Sequence, residues 1–412
     1  MEKKINKWDI EYTVYGIAMD PIYIGTGGYT IGRVDNTIVR DPITKLPKIP
    51  GSSLAGTWRY YTVLELLSKI KDRQPDMNTV KSIEKPTVVE KIKEWIEKNS
   101  NEWNSLTGWY SFNGNVVAKI TCAGQDNTPQ EELSNSPYTE DKEGKTGHCG
   151  HCIVCKGFGF SKKDFSWQGM IYFSDLHILF FPVFTLYGTK WITTEEVLKC
   201  AGLFKKLGDN ASDQSQSSGQ QFFRVLIQNE EKEAQAEKSE KEYINLGWMY
   251  LPCTRESFSI DLEKVKFENF ELKPENVVIV PEKLFSQIVN SNLEVRTSVS
   301  INPITGAAKE GALFTSEAIP RGTIFYGDLR IFDKSAFAEL ESKAGELPSS
   351  CALIEALSES KHFFETLGIG GMTTRGFGRL KLELKRKETE DDKNTSIQST
   401  EDSKTVSGGE QR

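Results

Sequence analysis

The chain has 412 residues, of which 38% are hydrophobic and 26% are charged, so it is long enough to bury a substantial core. No apolar run approaches the roughly 20 residues that span a membrane, and no signal-like apolar segment follows the charged amino end, so we expect a cytoplasmic location. The net charge of −7 does not exclude nucleic-acid binding, because residues 31–60 and 366–387 are both locally basic.

The amino-terminal part is predicted to contain a strand, a glycine-rich loop and a helix. Residues 8–18 alternate between apolar and polar side chains as a strand does. A glycine-rich loop follows and runs to Pro50. Ser52 or Ser53 is predicted to cap a helix that begins near Leu54.

The middle of the chain is predicted to alternate between ordered elements and polar insertions. Residues 168–181 are rich in β-branched and aromatic side chains and are expected to form a strand. Thr193 or Thr194 is expected to cap the next helix, which has two glutamates in its first turn. Residues 208–242 are rich in Ser, Gln, Asp and Glu, and we expect much of this segment to be mobile.

The carboxyl-terminal part is predicted to start with a long hairpin. Residues 293–301 and 312–319 alternate around the sequence NPITGAAKEG, which is typical of two strands with a flexible tip. A strand over 323–332, a helix that ends near Leu367, a glycine-rich turn and a final strand follow. Without insertions, the order strand, helix, strands, helix, strand predicts an α+β, ferredoxin-like fold.

Residues 368–379 contain five glycines, Thr374, Arg375 and Arg379. Backbone N–H groups in such a loop can approach phosphates closely, and the arginines add positive charge. A tight connection between a helix and a strand needs only one or two glycines, so the composition favours phosphate binding. Because this loop precedes a strand and does not open a helix, it does not indicate a dinucleotide-binding fold.

A second anion site is predicted at the start of the first long helix. Gly51, Ser52 and Ser53 are small, and helix amino ends bind anions readily. Simple capping would also explain these residues, but Lys48 and Arg59 on either side favour a phosphate.

Asp35 is the candidate catalytic residue. It lies in a loop between Arg33 and Arg40, where most aspartates only form turns. A single carboxylate can be enough for RNA cleavage, however. The RNA's own 2′-hydroxyl is the nucleophile, and one carboxylate, with or without hydrated Mg²⁺, can assist it. A two-metal nuclease would need more clustered carboxylates than this loop provides.

The sequence GHCGHCIVCKGFG predicts a structural zinc site. Its candidate ligands are His148, Cys149, Cys152 and Cys155, and the fourth ligand is left open between His148, His151 and the distant Cys122. Crowded cysteines in a cytoplasmic protein favour a metal over disulfides. No polar group nearby indicates an open catalytic position on the metal. His177 and His362 lie in apolar segments and are expected to be core residues.

Several segments together resemble the RAMP superfamily, in particular the backbone subunits of type III CRISPR effector complexes. VDNTIVRDPITKLPKIPGSSLAGTWR is similar to the loop and helix start of that family, and GGMTTRGFGRL is similar to its glycine-rich loop. INPITGAAKEGALF resembles the thumb hairpin of the Cmr-type subunit. CIVCKGFG is closer to the Csm-type subunit.

The resemblance implies an RRM-like palm, a zinc-containing insertion, a thumb hairpin, and copies of the chain stacked with other subunits along a guide RNA. Asp35 matches the aspartate that cleaves complementary target RNA at regular intervals in a metal-dependent reaction. The family usually has Lys where this chain has Ala55, which removes one expected phosphate contact. The expected RNA-binding residues are Arg33, Arg40, Lys48, Ser52, Ser53, Arg59, Gly370, Gly371, Thr374, Arg375 and Arg379.

The expected organisation follows from the same resemblance. The chain divides into the first half of the palm with the catalytic loop (1–72), the insertion with the zinc segment (73–166), a palm strand and helix (167–207), a flexible polar insertion (208–242), strands and thumb hairpin (243–334), the palm helix, glycine-rich loop and last strand (335–387), and a disordered tail (388–412).

Three alternative functions stay open at this point. The chain could be a scaffold subunit that binds RNA without cleaving it. A stand-alone ribonuclease that processes the guide is disfavoured, because no further histidine is free to act as its base. A zinc-dependent hydrolase would lose its activity outright when the metal is removed.

Overall fold

The computed structural model describes residues 9–27, 34–71, 120–124, 148, 150, 152–161, 166–207, 225–228, 242–256, 258–337 and 347–387. Its strands are β1 (Asp9–Ala18), β2 (Lys48–Ile49), β3 (Phe160–Ser161), β4 (Ser166–Trp167), β5 (Ile171–Phe173), β6 (Leu176–Thr185), β7 (Gly188–Thr193), β8 (Phe204–Leu207), β9 (Val225–Gln228), β10 (Glu242–Leu246), β11 (Met249–Glu256), β12 (Phe258–Ile260), β13 (Val277–Ile279), β14 (Glu294–Ile301), β15 (Ala308–Ala318), β16 (Ile324–Phe332) and β17 (Leu380–Arg386). Its helices are α1 (Gly51–Lys71), α2 (Ile153–Phe158), α3 (Glu195–Cys200), α4 (Glu282–Ser291), α5 (Ser350–Ser360) and α6 (Phe363–Thr366). Within these residues, no helix combines the length and the apolar character that crossing a membrane requires.

Eleven of the described strands form one large mixed sheet. Nine of them follow the order β10-β11-β9-β13-β7-β6-β16-β1-β17, while β2 pairs with β6 and β5 pairs with β16. The pairs β11–β9 and β13–β7 are parallel, and the other pairs along this path are antiparallel. Helices and a large sheet in one chain agree with the predicted α+β class.

Four neighbouring strands at one end of this sheet, with the helices between them, follow the predicted order of elements. Along the chain, β1 leads to α1, β6 and β16 come next, and α5 precedes β17. In the sheet these four strands lie in the order β17-β1-β16-β6, with every neighbouring pair antiparallel. This is the ferredoxin-like connection pattern.

Both faces of β1 are buried. Val14 belongs to the core that packs α1 and α5 on the sheet, and the ring of Trp58 from α1 lies 5.3 Å from that of Phe364 in the same core. The next residue, Tyr15, points to a second core on the other face, which includes Phe180 from β6. The strand is covered on both sides from Val14 to Ala18, so in this half the alternation gives way to apolar residues on both faces.

The first long helix begins earlier than predicted and is not capped by a serine. α1 starts at Gly51, whose N–H donates to Asp175 Oδ1 at 2.7 Å. A side chain at Gly51 would lie 2.7 Å from Phe173 O, so glycine is needed for this close approach. The expected cap at Ser52 or Ser53 is therefore wrong, because an acceptor from another part of the chain takes that role.

The predicted strand over 168–181 is two strands. Ser174 and Asp175 leave the ladder between β5 and β6, and Ser174 Oγ accepts the N–H of Asp328 at 2.7 Å. The interruption frees the Asp175 carboxylate to bind the start of α1. The predicted cap at Thr194 is confirmed, since its Oγ1 accepts the N–H of Val197 at 3.2 Å.

Part of the segment expected to be mobile is an ordered strand. Val225–Gln228 forms β9, which lies between β11 and β13 inside the large sheet. These four residues are an ordered part of a segment in which much, but not all, was expected to be mobile. The remainder up to residue 241, most of the insertion over 73–166, and the tail over 388–412 lie outside the described residues.

The predicted hairpin is confirmed as β14 and β15. Val299 pairs with Leu313 and Thr297 with Thr315, and the second strand starts at Ala308, earlier than expected. The strands β16 and β17 also form as predicted, whereas the helix expected to end near Leu367 is split into α5 and α6. His177 and His362 are exposed, so their expected core positions are wrong.

Candidate nucleic-acid interface

Asp35 lies at the β14–β15 hairpin, on a loop that pairs with β15. Asn36 N donates to Thr315 O at 3.0 Å, and Glu317 N donates to Asn36 O at 3.0 Å. These two bonds form a short parallel bridge between the loop and the strand. They place Asp35 beside Thr315, which is 280 residues later in the chain.

Thr315 holds one oxygen of the Asp35 carboxylate. Asp35 Oδ2 accepts the Thr315 N–H at 2.8 Å and the Thr315 hydroxyl at 2.9 Å. The backbone bond, followed by the hydroxyl bond, lowers the pKa of Asp35, so the exposed side chain is ionised at neutral pH. No residue in the described part of the chain bonds to Oδ1. One carboxylate oxygen is thus fixed and the other faces solvent.

Arg40 fastens the same loop to the rest of the fold. Its Nη2 lies 2.6 Å from Glu317 Oε1 on β15, and its Nε donates to Asn290 Oδ1 on α4 at 2.8 Å. Its Nη1 donates to Ile38 O at 3.1 Å. The guanidinium is therefore used to position the loop, and Glu317 balances the charge that was predicted to bind phosphate. Arg33 lies outside the described residues.

Lys48 is held in a network of carboxylates at the start of α1. Its Nζ lies 2.6 Å from Asp175 Oδ2 and 3.4 Å from Asp41 Oδ2, and only 16% of its side chain is exposed. The positive charge is thus already balanced inside the protein. Ser52 is exposed and Ser53 is half-buried in the first turn, so both remain accessible to a ligand.

The glycine-rich loop is shaped first of all by protein contacts. Gly371 N donates to Tyr23 O at 2.9 Å, and a side chain at Gly370, where φ is 84°, would collide with the same carbonyl. These glycines allow the loop to pack on the chain near Tyr23. Thr374 and Arg375 lie on the exposed outer turn, and no described residue pairs with the Arg375 guanidinium.

Arg379 differs from Arg375 in having an internal partner. Its Nε lies 2.5 Å from Asp20 Oδ2 and its Nη2 lies 3.0 Å from Asp20 Oδ1. The hydrogen bond from Arg379 lowers the pKa of Asp20, as expected for a bidentate pair. Of the two loop arginines, Arg375 is therefore the one available to bind an anion.

Arg296 connects the hairpin to the glycine-rich loop, and the sequence did not indicate it. Its guanidinium carbon lies 4.6 Å from the centre of the Phe377 ring, and its Nη1 donates to Gly376 O at 3.1 Å. Because Arg296 is on β14 and Asp35 bonds to β15, one hairpin contacts both the aspartate loop and the glycine-rich loop. A single arginine in an alternating strand carries no local signal of this role.

Arg59, on α1, makes its hydrogen bonds to the segment that contains the clustered cysteines. Its Nε donates to Cys122 O at 2.5 Å, its Nη1 donates to Gly159 O at 2.6 Å, and its Nη2 donates to His148 Nδ1 at 3.0 Å. All three partners come from the insertion. The residue predicted to bind RNA thus joins α1 to the insertion.

Three buried thiols form a cluster that suits a metal ion. The sulfur atoms of Cys122, Cys152 and Cys155 lie within 4.8 Å of one another. Thiolates are preferred zinc ligands, and tetrahedral zinc at about 2.3 Å from each sulfur requires such a spacing. The donor set therefore fits the predicted ion.

The cluster includes one of the three residues left open as the fourth ligand. Cys122 takes part in it, whereas His148 uses Nδ1 to accept the hydrogen bond from Arg59 and is outside the group. Cys149 and His151 lie outside the described residues.

Comparison with curated proteins finds similarity over short segments. The CRISPR system Cms endoribonuclease Csm3 of Methanothermobacter thermautotrophicus is 58% identical over 36 residues, and that of Enterococcus italicus is 52% identical over 40 residues. Each match covers 9% of this chain, and they cover 15% and 19% of the two relatives.

Among solved structures, a chain of the type III-B Cmr-beta complex bound to cognate target RNA is 13% identical, with a TM-score of 0.45 and coverage of 91% of this chain and 96% of that chain. Oligomeric Cmr4 from Pyrococcus furiosus is 16% identical, with a TM-score of 0.42 and coverage of 92% and 99%. The sequence model of the RAMP superfamily matches residues 18–381, which include α1, the hairpin and the glycine-rich loop. Because this match spans most of the chain, the protein belongs to the RAMP superfamily.

Proposed function

We propose that the chain is a guide-RNA-binding backbone subunit of a type III CRISPR effector complex and that Asp35 cleaves complementary target RNA. Membership of the RAMP superfamily supports the general role. The two curated relatives that share short, highly identical segments with this chain are named CRISPR endoribonucleases. In this role the ferredoxin-like unit is the palm, the β14–β15 hairpin is the thumb, and further copies and other subunits are the partners.

The observation that carries the proposed chemistry is the position of the Asp35 carboxylate. Thr315 fixes Oδ2, and Oδ1 is exposed next to a hairpin that also contacts the glycine-rich loop. In RNA cleavage a 2′-hydroxyl attacks the adjacent phosphorus, and a well-placed carboxylate can orient that hydroxyl or accept its proton. Because its pKa is lowered, Asp35 is a weak base, so orientation is its main contribution.

Backbone contacts are proposed to hold the guide strand. Thr374 and Arg375 on the outer turn, together with Ser52 and Ser53 at the start of α1, are the predicted contacts that remain accessible. Such contacts bind phosphates without reading bases, while base pairing between guide and target supplies the sequence specificity. Arg40, Lys48, Arg59 and Arg379 would then shape this face without binding phosphate themselves.

Two metals belong to the proposal. A hydrated divalent cation such as Mg²⁺, held near Asp35 Oδ1, would neutralise charge that develops on the phosphate during cleavage. A zinc ion on Cys122, Cys152 and Cys155 would have a structural role, because these thiols are buried and Arg59 ties the segment to α1. A zinc-dependent hydrolase is disfavoured by this burial.

The decisive experiment replaces Asp35 in the assembled complex. Asp35→Asn keeps an acceptor for Thr315 but removes the charge, and we expect guide and target binding to persist while cleavage at every regular position disappears. Asp41→Asn is the matched control, because Asp41 is on the same loop and its carboxylate bonds only to neighbouring loop residues and Lys48. Unchanged cleavage in Asp35→Asn would leave a non-catalytic scaffold as the function. Cutting of precursor RNA by the isolated chain would instead show a guide-processing ribonuclease.

A further inference from the structure

A cavity of about 710 Å³ lies between the ends of β1, β6 and β7 and the turn before β16. This volume is within the range of about 300–1,000 Å³ that small-ligand sites occupy in proteins. None of the residues predicted to bind RNA or metal lines it. The cavity is therefore separate from the Asp35 loop and from the cysteine cluster.

Aromatic side chains form much of the wall. The rings of Trp191 and Phe270 have centroids 5.6 Å apart at an angle of 58°, and Phe184 lies at the rim with 68% of its surface exposed. Trp191 Nε1 donates to Gly322 O at 2.9 Å, which holds the indole in place. Fixed aromatic surfaces of this kind bind flat rings by stacking, with little entropy lost on binding.

The charged lining residues favour an anion with a single charge. Arg321 is exposed at the mouth, and no described residue bonds to its side chain. Lys381 also lines the cavity, but its Nζ lies 2.8 Å from Glu268 and 3.9 Å from Glu365, and Glu365 is itself a lining residue. Lys381 is thus already balanced by carboxylates, and Arg321 is the lining cation that no described residue pairs with.

The cavity adjoins the glycine-rich loop. Met19 lines it, and the N–H of Met19 donates to Arg379 O at 2.9 Å. Gly322 N donates to Ala18 O at 2.7 Å, so the turn that carries Arg321 is anchored to the end of β1, next to Met19. The cavity therefore lies beside the end of the glycine-rich loop, at Arg379.

We propose that this cavity binds one nucleotide unit of an RNA strand, with the base against Trp191 and Phe270 and the phosphodiester at Arg321. A phosphodiester carries one negative charge, which matches the single unpaired cation of the lining, Arg321, whereas a free nucleoside monophosphate carries nearly two at neutral pH. Stacking is sequence-tolerant because every base has a flat face. The inference rests on the proposed RNA binding of the chain, but on neither Asp35 nor Arg375.

The first test uses small nucleotides and the full chain. We expect the dinucleoside monophosphate ApA to bind more tightly than adenosine, as measured by ligand-observed NMR. Arg321→Ala should lower the ApA affinity by about tenfold, to the level of adenosine. Trp191→Leu should weaken both ligands, and Trp191→Phe should restore most of the loss. Arg386→Ala is the matched control, because Arg386 is an exposed arginine at the opposite end of β17 from Lys381, and it should leave both affinities unchanged.

The second test maps where RNA lies. RNA substituted with 4-thiouridine should crosslink on irradiation to peptides that contain Trp191 or Phe270, and Arg321→Ala should reduce this product. RNA binding without such crosslinks overturns the cavity assignment and leaves the proposed function intact. If the chain binds no RNA at all, the proposed function is refuted, and the cavity assignment, which rests on it, is refuted as well.

Two other outcomes also overturn the assignment. Tighter binding of 5′-AMP than of ApA, lost in Arg321→Ala, would make the cavity a site for a free nucleotide. The cavity would instead be a contact between two copies of the chain if both Arg321→Ala and Trp191→Leu left the ApA affinity unchanged and both reduced self-association, as measured by light scattering.

Discussion

Thr315 donates two hydrogen bonds to one carboxylate oxygen of Asp35, through its backbone N–H at 2.8 Å and its hydroxyl at 2.9 Å. The aspartate is therefore oriented by the hairpin and not by its own loop. Any movement of β15 moves the candidate catalytic group, so the geometry of the hairpin and the chemistry of the loop are coupled.

The first prediction concerns this pair. Thr315→Val keeps the bond from the Thr315 N–H but removes the hydroxyl, which donates to Asp35 Oδ2 and accepts the Asp35 N–H at 3.0 Å. The pKa of Asp35 should therefore rise toward its ordinary value, and the carboxylate should become less well fixed. We expect the rate of target cleavage to fall by about tenfold, which corresponds to one hydrogen bond to a charged group. Single-turnover cleavage by the assembled complex measures the rate.

The control for this variant lies directly across the hairpin. Thr297 pairs with Thr315 in the ladder, so Thr297→Val makes the same chemical change on the neighbouring strand without touching Asp35. Its cleavage rate should match that of the unmodified protein. Equal losses in both variants would show that the hairpin surface matters and that the bond to Asp35 does not.

The second prediction separates the two arginines of the glycine-rich loop. Arg375→Ala should weaken RNA binding by about threefold to tenfold for any guide sequence and reduce the slope of affinity against salt by about one phosphate contact. Arg379→Ala should lower the melting temperature and change affinity less, because Asp20 already balances its charge. Asp20→Asn should strengthen RNA binding by releasing Arg379. Filter binding over a range of salt concentrations measures all three, and a larger loss in Arg379→Ala would reverse the assignment.

The third prediction is a pH dependence of stability at Asp41, which follows Asp35 in the chain. Hydrogen bonds from the backbone of Thr44 and Ile43 lower the pKa of Asp41 from 3.8 to about 2. A lowered pKa in the folded state means that the ionised group stabilises the fold above its unfolded pKa and that this contribution is lost as the pH falls through the folded value. The melting temperature of Asp41→Asn should therefore lie a few degrees below that of the unmodified protein above about pH 4, and the difference should shrink between pH 4 and pH 2. A difference that stays constant down to pH 2 would contradict this.

The fourth prediction concerns the cysteine cluster. Cys122→Ser should lower the zinc content of the purified protein and its melting temperature, because Cys122 lies in the group with Cys152 and Cys155. His148→Gln, which keeps an acceptor for Arg59, should retain the metal. Elemental analysis after dialysis decides the question.

Cys200→Ser and Cys351→Ser are the matched controls, since both thiols are exposed. They should change neither the zinc content nor the melting temperature. If Cys122→Ser kept its full zinc content, the fourth ligand would have to come from the 148–151 segment and not from Cys122.

Several parts of the fold were predictable from the sequence for a local reason. The alternation over residues 8–18 indicated β1, the two alternating runs around NPITG indicated the hairpin, and Thr194 before two glutamates indicated α3. Each signal lies within a few consecutive residues. The strand β9 was missed because three consecutive apolar residues inside a long polar segment do not outweigh their surroundings until β11 and β13 pair with them.

For the candidate site, the sequence suggested residue types but not their contacts. Glycines, arginines and a loop aspartate indicated a phosphate-binding face, whereas the structure determines which cations are already paired. Glu317, Asp175 and Asp20 balance Arg40, Lys48 and Arg379. Nothing in the neighbouring residues indicates these partners.

By itself, then, the sequence determined the strands and helices of the ferredoxin-like unit, the hairpin and the glycine-rich loop, because these depend on periodicity and turn chemistry between close neighbours in the chain. Only the tertiary structure decided that Thr315 orients Asp35, that Arg375 alone of the two loop arginines is available, and that Cys122 joins the distant cysteines. Those three facts depend on pairs of residues separated by tens to hundreds of positions, which only the packing of the sheet brings together.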